Sequence, residues 1–159
     1  MIVRPAATAD IPELTRLREL LFRRALETAE STESDEPAAG ADWREEFARD
    51  VKERLGDTLG VFVVDGDEGG LAACGLGVVE YRLPGPYQGG ALAGYVLGMV
   101  TDPAYRGRGY ARMIMQELLA WFGNRGVTRV DLHAPAEAAA LYRSMGFREH
   151  QVALTWHAP

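Results

Sequence analysis

The sequence lacks the features that mark a disulfide-bonded, redox-active or membrane-spanning protein. Cys74 is the only cysteine among 159 residues, so no internal disulfide and no CxxC metal or redox pair can form. It lies in the apolar run LAACGLGVV, where a free cysteine is usually buried and inert. No run approaches the ~20 apolar residues of a membrane-spanning helix, and the N-terminus has no signal-peptide pattern. These absences predict a soluble cytoplasmic protein.

Positive charge is also scarce. The 23 acidic residues outnumber 17 basic ones, which leaves a net charge of −6, and Lys52 is the only lysine. Nucleic-acid binding depends on a broad basic face that neutralises phosphates, so the composition argues against a nucleic-acid partner. Any anion-binding site must therefore be local.

The length matches one domain, residues 1–159, and its first part is helical after a short strand at IVRP. Apolar spacing and a polar cap predict a helix from about Asp10 to Leu26. The acidic, periodless residues 27–41 predict a mobile loop. A second helix that ends near Gly56 is indicated by apolar residues every four positions: Trp43, Phe47, Val51 and Leu55.

Strand patterns begin at Thr58. TLGVFVVDGDEGGLAACGLGVVEYRL predicts a hairpin around DGDEGG, and ALAGYVLGMV predicts a third strand after PGPYQGG. A strongly periodic helix then runs from Ala111 to about Gly123. It is followed by a strand at VTRVDLHA, a short helix at PAEAAALYRSM that Gly146 ends, and a final strand at REHQVALTW.

The segment YRGRGYARM, at the junction between the third strand and the periodic helix, combines glycines with arginines. A helix start has about four unpaired N–H groups and the positive end of the helix dipole, so it can bind phosphate where glycine leaves room. The P-loop pattern GxxxxGK[ST] and the dinucleotide pattern GxGxxG are both absent. The segment alone leaves three alternatives open: a phosphate site, a nucleic-acid patch or an ordinary turn.

The surrounding sequence resembles the GNAT superfamily of N-acetyltransferases. VTDPAYRGRGYARMIMQELLAWF is similar to the family's acetyl-CoA-binding segment, Gln/Arg-x-x-Gly-x-Gly/Ala, with Arg106, Gly109 and Ala111 at its fixed positions. ALYRSMGF resembles the second family signature, a short helix that carries a tyrosine, here Tyr142, and ends in Gly-Phe. The opening IVRPAATADIPEL and the order β-α-α-β-β-β-α-β-α-β also match, so the resemblance covers essentially the whole chain.

The resemblance implies an α/β (α+β) fold, with a mixed, mostly antiparallel sheet that splays open at GYVLGMV and about four flanking helices. It implies acetyl-CoA, or another acyl-CoA, as co-substrate and no metal. Main-chain groups at the end of the splayed strand bind the pantetheine arm, and those at the helix start bind the pyrophosphate. The implied cofactor-binding residues are Met99, Val100, Thr101, Arg106, Gly107, Arg108, Gly109, Tyr110, Ala111 and Tyr142.

The resemblance also implies catalytic roles. Tyr142 occupies the position of the acid that protonates the leaving thiolate, since a phenol with a pKa of about 10 stays protonated at neutral pH. The alternative is a helix tyrosine that only packs on the core. The splayed strand has no acid to serve as base, which leaves Glu80, His133 or water. Pro135 replaces an asparagine that contacts the cofactor in many family members, and proline can start the helix but cannot donate a hydrogen bond.

The implied function is acetyl transfer from acetyl-CoA directly to a primary amine of a small molecule or peptide. Two other hypotheses stay open: a non-catalytic acyl-CoA sensor or interaction module on the same fold, and a nucleotide- or nucleic-acid-binding domain. A homodimer through the edge of the last strand is possible. The sequence does not identify the acceptor, although a cluster of acidic loop residues hints at a cationic one: Glu30, Glu33, Asp35 and Glu36.

Overall fold

The computed structural model describes residues 2–27, 42–86 and 90–159. Most of the acidic loop, including Glu30, Glu33, Asp35 and Glu36, lies outside the described residues, as do three residues of PGPYQGG. The helices are α1 (Ile11–Glu27), α2 (Trp43–Arg54), α3 (Tyr110–Asn124) and α4 (Ala136–Ser144). The strands are β1 (Val3–Pro5), β2 (Leu59–Asp65), β3 (Leu71–Tyr81), β4 (Leu92–Thr101) and β5 (Val130–Leu132).

The five strands form one mixed sheet in the order β1-β2-β3-β4-β5. The first four pair antiparallel, while β4 and β5 pair in parallel. β2 and β3 form the expected hairpin, with Leu59 opposite Val78 at one end and Asp65 opposite Leu71 at the other. The expected mixed, mostly antiparallel sheet with four helices is confirmed.

Helices cover both faces of the sheet because its central strands are apolar on both sides. Leu14 and Leu17 of α1 share a buried core with alternate residues of β2, such as Val61 and Val63. The intervening residues of β2, together with strand residues such as Ala73, share a second core with α3, whose buried residues are Ile114, Met115, Leu118 and Phe122. The 3.6-residue and 2-residue periodicities in the sequence thus account for the layered arrangement.

Glycines in the sheet set how closely α3 can approach it. A Cβ at Gly75 would lie 2.5 Å from Cγ2 of Ile114, and one at Gly77 would lie 2.6 Å from Cζ of Phe122. These distances are far below van der Waals contact, so only glycine allows α3 to pack at this depth. The close approach fixes where the N-terminus of α3 lies relative to the end of β4.

The predicted final strand at REHQVALTW is wrong. Residues 148–159 form neither helix nor strand, and Val152, Leu154 and Trp156 are exposed. Alternation of apolar residues supplies a strand-like pattern, but a strand also needs a neighbour that pairs with its main chain. β5 is only three residues long and offers a short edge for such pairing.

Candidate active site

β4 and β5 pair over only three residues before they separate. Gly94, Tyr95 and Val96 lie opposite Val130, Asp131 and Leu132 respectively. β4 then continues to Thr101 beside β3 alone, so in the described residues its other edge has no partner strand from position 97 onward. The predicted splay is confirmed, and we call this divergence of the two strands the β4–β5 fork.

A bulge lies directly after the last paired residue of the fork. Leu76 lies opposite Gly98, whereas Gly77 lies opposite Val96, so Leu97 is the extra residue on β4. A bulge bends its strand and interrupts the hydrogen-bond ladder at that point. It therefore helps β4 to turn away from β5 at the fork.

The end of β4 presents main chain, because its side chains belong to the core. Val100 is buried in the core beneath α1, and Met99 packs against the α3 core. Thr101 ends the strand and lies opposite Ala73 of β3. The backbone of Met99, Val100 and Thr101 is thus the part of these residues that lies along the free edge.

An ion pair and a cap position the turn between β4 and α3. The Asp102 carboxylate accepts a hydrogen bond from the N–H of Ala104 at 3.0 Å and pairs with Arg16 of α1 at 2.7 Å. The N–H of Ala104 and the Arg16 guanidinium both stabilise the ionised carboxylate, so they lower the pKa of Asp102. This arrangement holds the short 3-10 turn Pro103–Tyr105 against α1.

The N-terminus of α3 is an open main-chain surface, which we call the α3 cradle (residues 106–111). Gly107 and Gly109 have φ angles of +76° and +80°, and a Cβ on either would meet no atom within 4 Å. None of the N–H groups from Arg106 to Arg112 donates a hydrogen bond to another described residue. Exposed N–H groups at a helix N-terminus are a general anion-binding arrangement.

The two cradle arginines differ in their surroundings. The Arg108 guanidinium lies 5.0 Å from the centre of the Tyr105 ring, and the Tyr105 hydroxyl accepts a hydrogen bond from the N–H of Asp67 at 2.9 Å. Arg106 is exposed and lies close enough to Asp102 to contribute to the lowered pKa of that carboxyl group. Both guanidinium groups remain accessible to solvent.

Tyr142 lies on the buried side of α4. Its side chain is only 7% exposed and packs edge-to-face on Phe147, with 5.9 Å between the ring centres. Burial raises the pKa of the Tyr142 phenol. The raised pKa keeps the hydroxyl protonated at neutral pH. The hydroxyl has no hydrogen-bond partner among the described residues. Because every fully buried polar side-chain atom of these residues has a partner, the Tyr142 hydroxyl must be accessible to solvent.

Both ends of α4 are attached to other helices. Arg24 of α1 pairs with Glu137 at 3.1 Å, and Arg112 of α3 donates a hydrogen bond to the Ser144 hydroxyl at 2.7 Å. Pro135 is the N-cap residue and makes no side-chain cap, so the expected helix start at this proline is confirmed. These contacts attach α4 to α1 and α3, and Tyr142 belongs to the core that α3 shares with the sheet.

His133 follows β5 at the fork and is hydrogen-bonded through Nδ1 to the hydroxyl of Tyr95. The two ring centres are 5.7 Å apart. Burial raises the pKa of Tyr95, and the nearby carboxylates of Glu80 and Asp131 raise it further. The sequence analysis missed Tyr95, because its contact with His133 follows from the β4–β5 register, which no local pattern specifies.

Glu80, the other candidate base, is engaged elsewhere. Its carboxylate accepts a hydrogen bond from Arg82 at 3.1 Å and is about half exposed. Val78 lies opposite Tyr95, so Glu80, two residues further along β3, is on the same face of the sheet. Glu80 thus influences Tyr95 electrostatically without a described contact to His133.

Three of the candidate residues line one cavity of about 990 Å³. Tyr95, His133 and Tyr142 all line it, together with residues of β5, α4 and the segment that follows α4. Glu80 and the α3 cradle do not contribute to its wall. The structure therefore brings His133 and Tyr142 to one cavity and leaves Glu80 outside it.

The described ranges contain no cluster of three or more histidine, cysteine or carboxylate side chains arranged to hold a metal ion. Among the helices that the structure describes, none is both long and apolar enough to cross a bilayer.

Two curated proteins are similar to parts of the sequence. Glucosamine 6-phosphate N-acetyltransferase from Trypanosoma brucei brucei is 30% identical over 64 residues, which cover 40% of this chain and 44% of that protein. N-alpha-acetyltransferase RimI from Mycobacterium tuberculosis is 47% identical over 49 residues, 30% of each chain. The match thus spans less than half the length of either relative.

The similarity in structure extends over the whole chain. A crystal structure described as a predicted acetyltransferase with acetyl-CoA, from Clostridium acetobutylicum, shares the fold with a TM-score of 0.78 and 22% identity. The alignment covers 98% of this chain and 94% of that one. The family model described as "Acetyltransferase (GNAT) family" matches residues 19–147, which include the β4–β5 fork, the α3 cradle and Tyr142. The chain belongs to the acetyltransferase (GNAT) family.

Proposed function

We propose that residues 1–159 form one acetyl-CoA-dependent N-acetyltransferase domain, which transfers an acetyl group directly to a primary amine of a small molecule or peptide. The observation that carries this proposal is the open main chain at the end of β4 and the start of α3. There a free strand edge leads into a series of unpartnered N–H groups. Membership of the GNAT family supports the same reaction class.

The residues present fit acetyl-CoA. The N–H groups of the α3 cradle would bind the pyrophosphate, because Gly107 and Gly109 leave open space where other residues would place a Cβ. The free edge of β4 at Met99, Val100 and Thr101 would bind the pantetheine arm as an added strand would. When bound, acetyl-CoA supplies an activated acetyl group as a thioester.

Tyr142 would supply the proton for the leaving thiolate. Its raised pKa keeps the phenol protonated at neutral pH, and its hydroxyl is not committed to another described group. A positioned general acid of this kind contributes about 10²- to 10⁴-fold to a rate. Tyr142 lines the same cavity as His133, which supports a role for both side chains in one reaction.

His133 would accept the proton of the acceptor amine. If Nδ1 carries the proton and donates a hydrogen bond to the Tyr95 oxygen, Nε2 is left as a free acceptor. The same hydrogen bond persists when the ring is protonated, so Tyr95 orients His133 in both states. A lysine-like amine with a pKa of about 10.4 needs roughly 4.6 kcal/mol to become neutral at pH 7, so such an acceptor gains most from a base.

The test is thiol release from acetyl-CoA across a panel of primary amines, with Tyr142→Phe as the diagnostic variant. We expect turnover with at least one amine and a loss of kcat of about 100-fold or more in Tyr142→Phe. Acetyl-CoA binding, measured by calorimetry, should stay close to that of the unsubstituted protein.

The matched control is Tyr81→Phe, because Tyr81 is a tyrosine that is 84% exposed at the end of β3. Unchanged kcat in a folded Tyr142→Phe protein would remove Tyr142 from the acid role. Tight acetyl-CoA binding without turnover on any amine would favour the alternative function, a non-catalytic acyl-CoA sensor.

A further inference from the structure

We propose that the acceptor carries an anionic group, a phosphate or a carboxylate, in addition to its amine, and that Arg148 binds this group. The proposal rests on the proposed function and names the chemical class of its acceptor. It starts from the cavity that His133 and Tyr142 share, whose wall has more positive than negative side chains. An excess of positive side chains is unexpected in a protein whose net charge is −6.

Arginines dominate the charged groups of the cavity wall. Two carboxylates line it, Asp131 and Glu149, against four arginines: Arg82, Arg129, Arg143 and Arg148. The histidines of the wall add neutral or positive groups and no negative ones. A cavity with this balance favours a ligand with negative charge.

Three of the four arginines already have carboxylate partners. Arg82 pairs with Glu80 at 3.1 Å, Arg129 with Asp131 at 3.4 Å, and Arg143 with Glu149. Arg148 makes no ion pair or hydrogen bond with another described residue. Its guanidinium is therefore the positive group of the wall that has no neutralising partner in the described part of the chain.

The chain places Arg148 close to the catalytic candidates. Arg148 directly follows Phe147, which packs on Tyr142 and is held by a hydrogen bond from its N–H to the carbonyl of Tyr142 at 3.1 Å. Asp131, the carboxylate that pairs with Arg129, lies two residues before His133 on the same face of the sheet. The unpaired guanidinium of Arg148 lines the same cavity as Tyr142 and His133, so it can bind an anionic group of a ligand whose amine reacts there.

The pyrophosphate of the coenzyme, as assigned above, does not account for these arginines. The α3 cradle, which we assign to the pyrophosphate, contributes no residue to the cavity wall. The cavity instead contains His133, which acts on the acceptor in the proposed mechanism. A guanidinium recognises carboxylate and phosphate oxygens through paired hydrogen bonds, so either group fits the proposal.

The experiment compares matched amines that differ in one anionic group. The pairs are 2-aminoethyl phosphate against ethanolamine, and β-alanine against β-alaninamide. We expect the anionic member of one pair to have a kcat/KM about 10- to 100-fold higher, the effect of a charge-assisted hydrogen bond. The pair that shows the preference identifies phosphate or carboxylate as the group that is bound.

Variants locate the effect. Arg148→Gln should remove the preference by raising the KM of the anionic acceptor, with kcat and the KM of acetyl-CoA unchanged, and Arg148→Lys should retain part of it. Arg49→Gln is the control for a general change in charge, because Arg49 is exposed on α2 and lines a different pocket.

Equal kcat/KM within both pairs in the unsubstituted protein would overturn the proposal. So would a rise in the KM of acetyl-CoA in Arg148→Gln, which would assign Arg148 to the coenzyme. Calorimetric binding of 2-aminoethyl phosphate and β-alanine in the presence of CoA decides the matter without turnover. Binding of either that Arg148→Gln abolishes supports the anion site even if no amine is acetylated, whereas absence of turnover alone contradicts only the proposed function.

Discussion

We expect the α3 cradle to be sensitive to substitution at Gly109, the residue that directly precedes helix α3. Its left-handed backbone costs a residue with a Cβ about 1–2 kcal/mol, and a side chain there would enter the space above the free N–H groups. We expect Gly109→Val to abolish acetyl-CoA binding measured by calorimetry. Arg108→Ala should weaken it only modestly, because the guanidinium adds to a site built from main chain.

The control for backbone strain lies at the other end of the same helix. Gly126 has a φ angle of +78°, and a Cβ there would also meet nothing within 4 Å. Gly126→Val should therefore lower stability about as much and leave acetyl-CoA binding intact. If Arg108→Ala proved more damaging than Gly109→Val, charge rather than exposed main chain would hold the coenzyme.

In the proposed mechanism Tyr95 acts through His133, so removal of its hydroxyl should alter the pH dependence of the reaction. Tyr95→Phe keeps the ring and deletes the hydroxyl that is hydrogen-bonded to Nδ1 of His133 and orients its ring. We expect a loss of kcat/KM of about 10-fold with the lysine-like acceptors that need a base, together with a changed acid limb of the pH profile. The KM of acetyl-CoA should not change. A profile identical to that of the unsubstituted protein would show that the Tyr95 hydroxyl does not orient the base.

At the scale of elements, the depth at which α3 packs on the sheet can be tested at Gly75. Gly75→Ala places a methyl group 2.5 Å from Ile114, and such overpacking costs about 1–3 kcal/mol. Urea unfolding should show that the combination Gly75→Ala with Ile114→Ala is less destabilised than the sum of the single variants. Gly123→Ala is the control, because Gly123 lies within α3 with open space around it, and there alanine should be neutral or stabilising.

Sequence periodicity predicted the elements well where each carries its own pattern. Helices α1 and α3 begin and end within a few residues of their predicted bounds, and β2, β3 and β4 follow their apolar runs. The predicted final strand at residues 148–156 was wrong, because a strand depends on a partner that its own residues do not encode. The same limit explains the site: the glycines of the α3 cradle are visible as a local motif, whereas the contact between Tyr95 and His133 depends on the pairing of β4 with β5.

At the scale of the whole molecule, two arginines connect carboxylates from distant parts of the chain. Arg4 of β1 pairs with Asp10 at 2.8 Å and with Asp65 of β2 at 2.7 Å. Arg16 of α1 pairs with Glu13 of the same helix and with Asp102, which follows β4. Hydrogen bonds that the guanidinium groups donate are the largest cause of the lowered pKa of Asp10, Glu13 and Asp65, and they contribute to that of Asp102.

These lowered pKa values predict the pH dependence of folding stability. A carboxyl group whose pKa is lower when folded stabilises the protein above its unfolded pKa, and this contribution is lost as the pH falls through the folded value. The unfolded values are near 3.8 for aspartate and 4.5 for glutamate, so urea midpoints should be constant near neutrality and decrease below pH 4.5. In Arg4→Met the urea midpoint should fall less between neutral and acidic pH, whereas Arg49→Met should behave like the unsubstituted protein. A midpoint that stays constant to pH 3 would show that these pairs contribute nothing measurable.

Because Cys74 is buried, the rate at which its thiol is modified can report internal motion of the protein. The thiol lies in β3 beneath α1, is 1% exposed, and has a pKa raised by burial to about 12. A thiol reagent therefore modifies the protein only when the sheet opens, and with one cysteine per chain the modification rate reports a single event. A ligand that holds β4 and α3 together should slow that rate in proportion to its occupancy. The kinetics of thiol modification can thus measure coenzyme or acceptor binding without turnover and without an introduced cysteine.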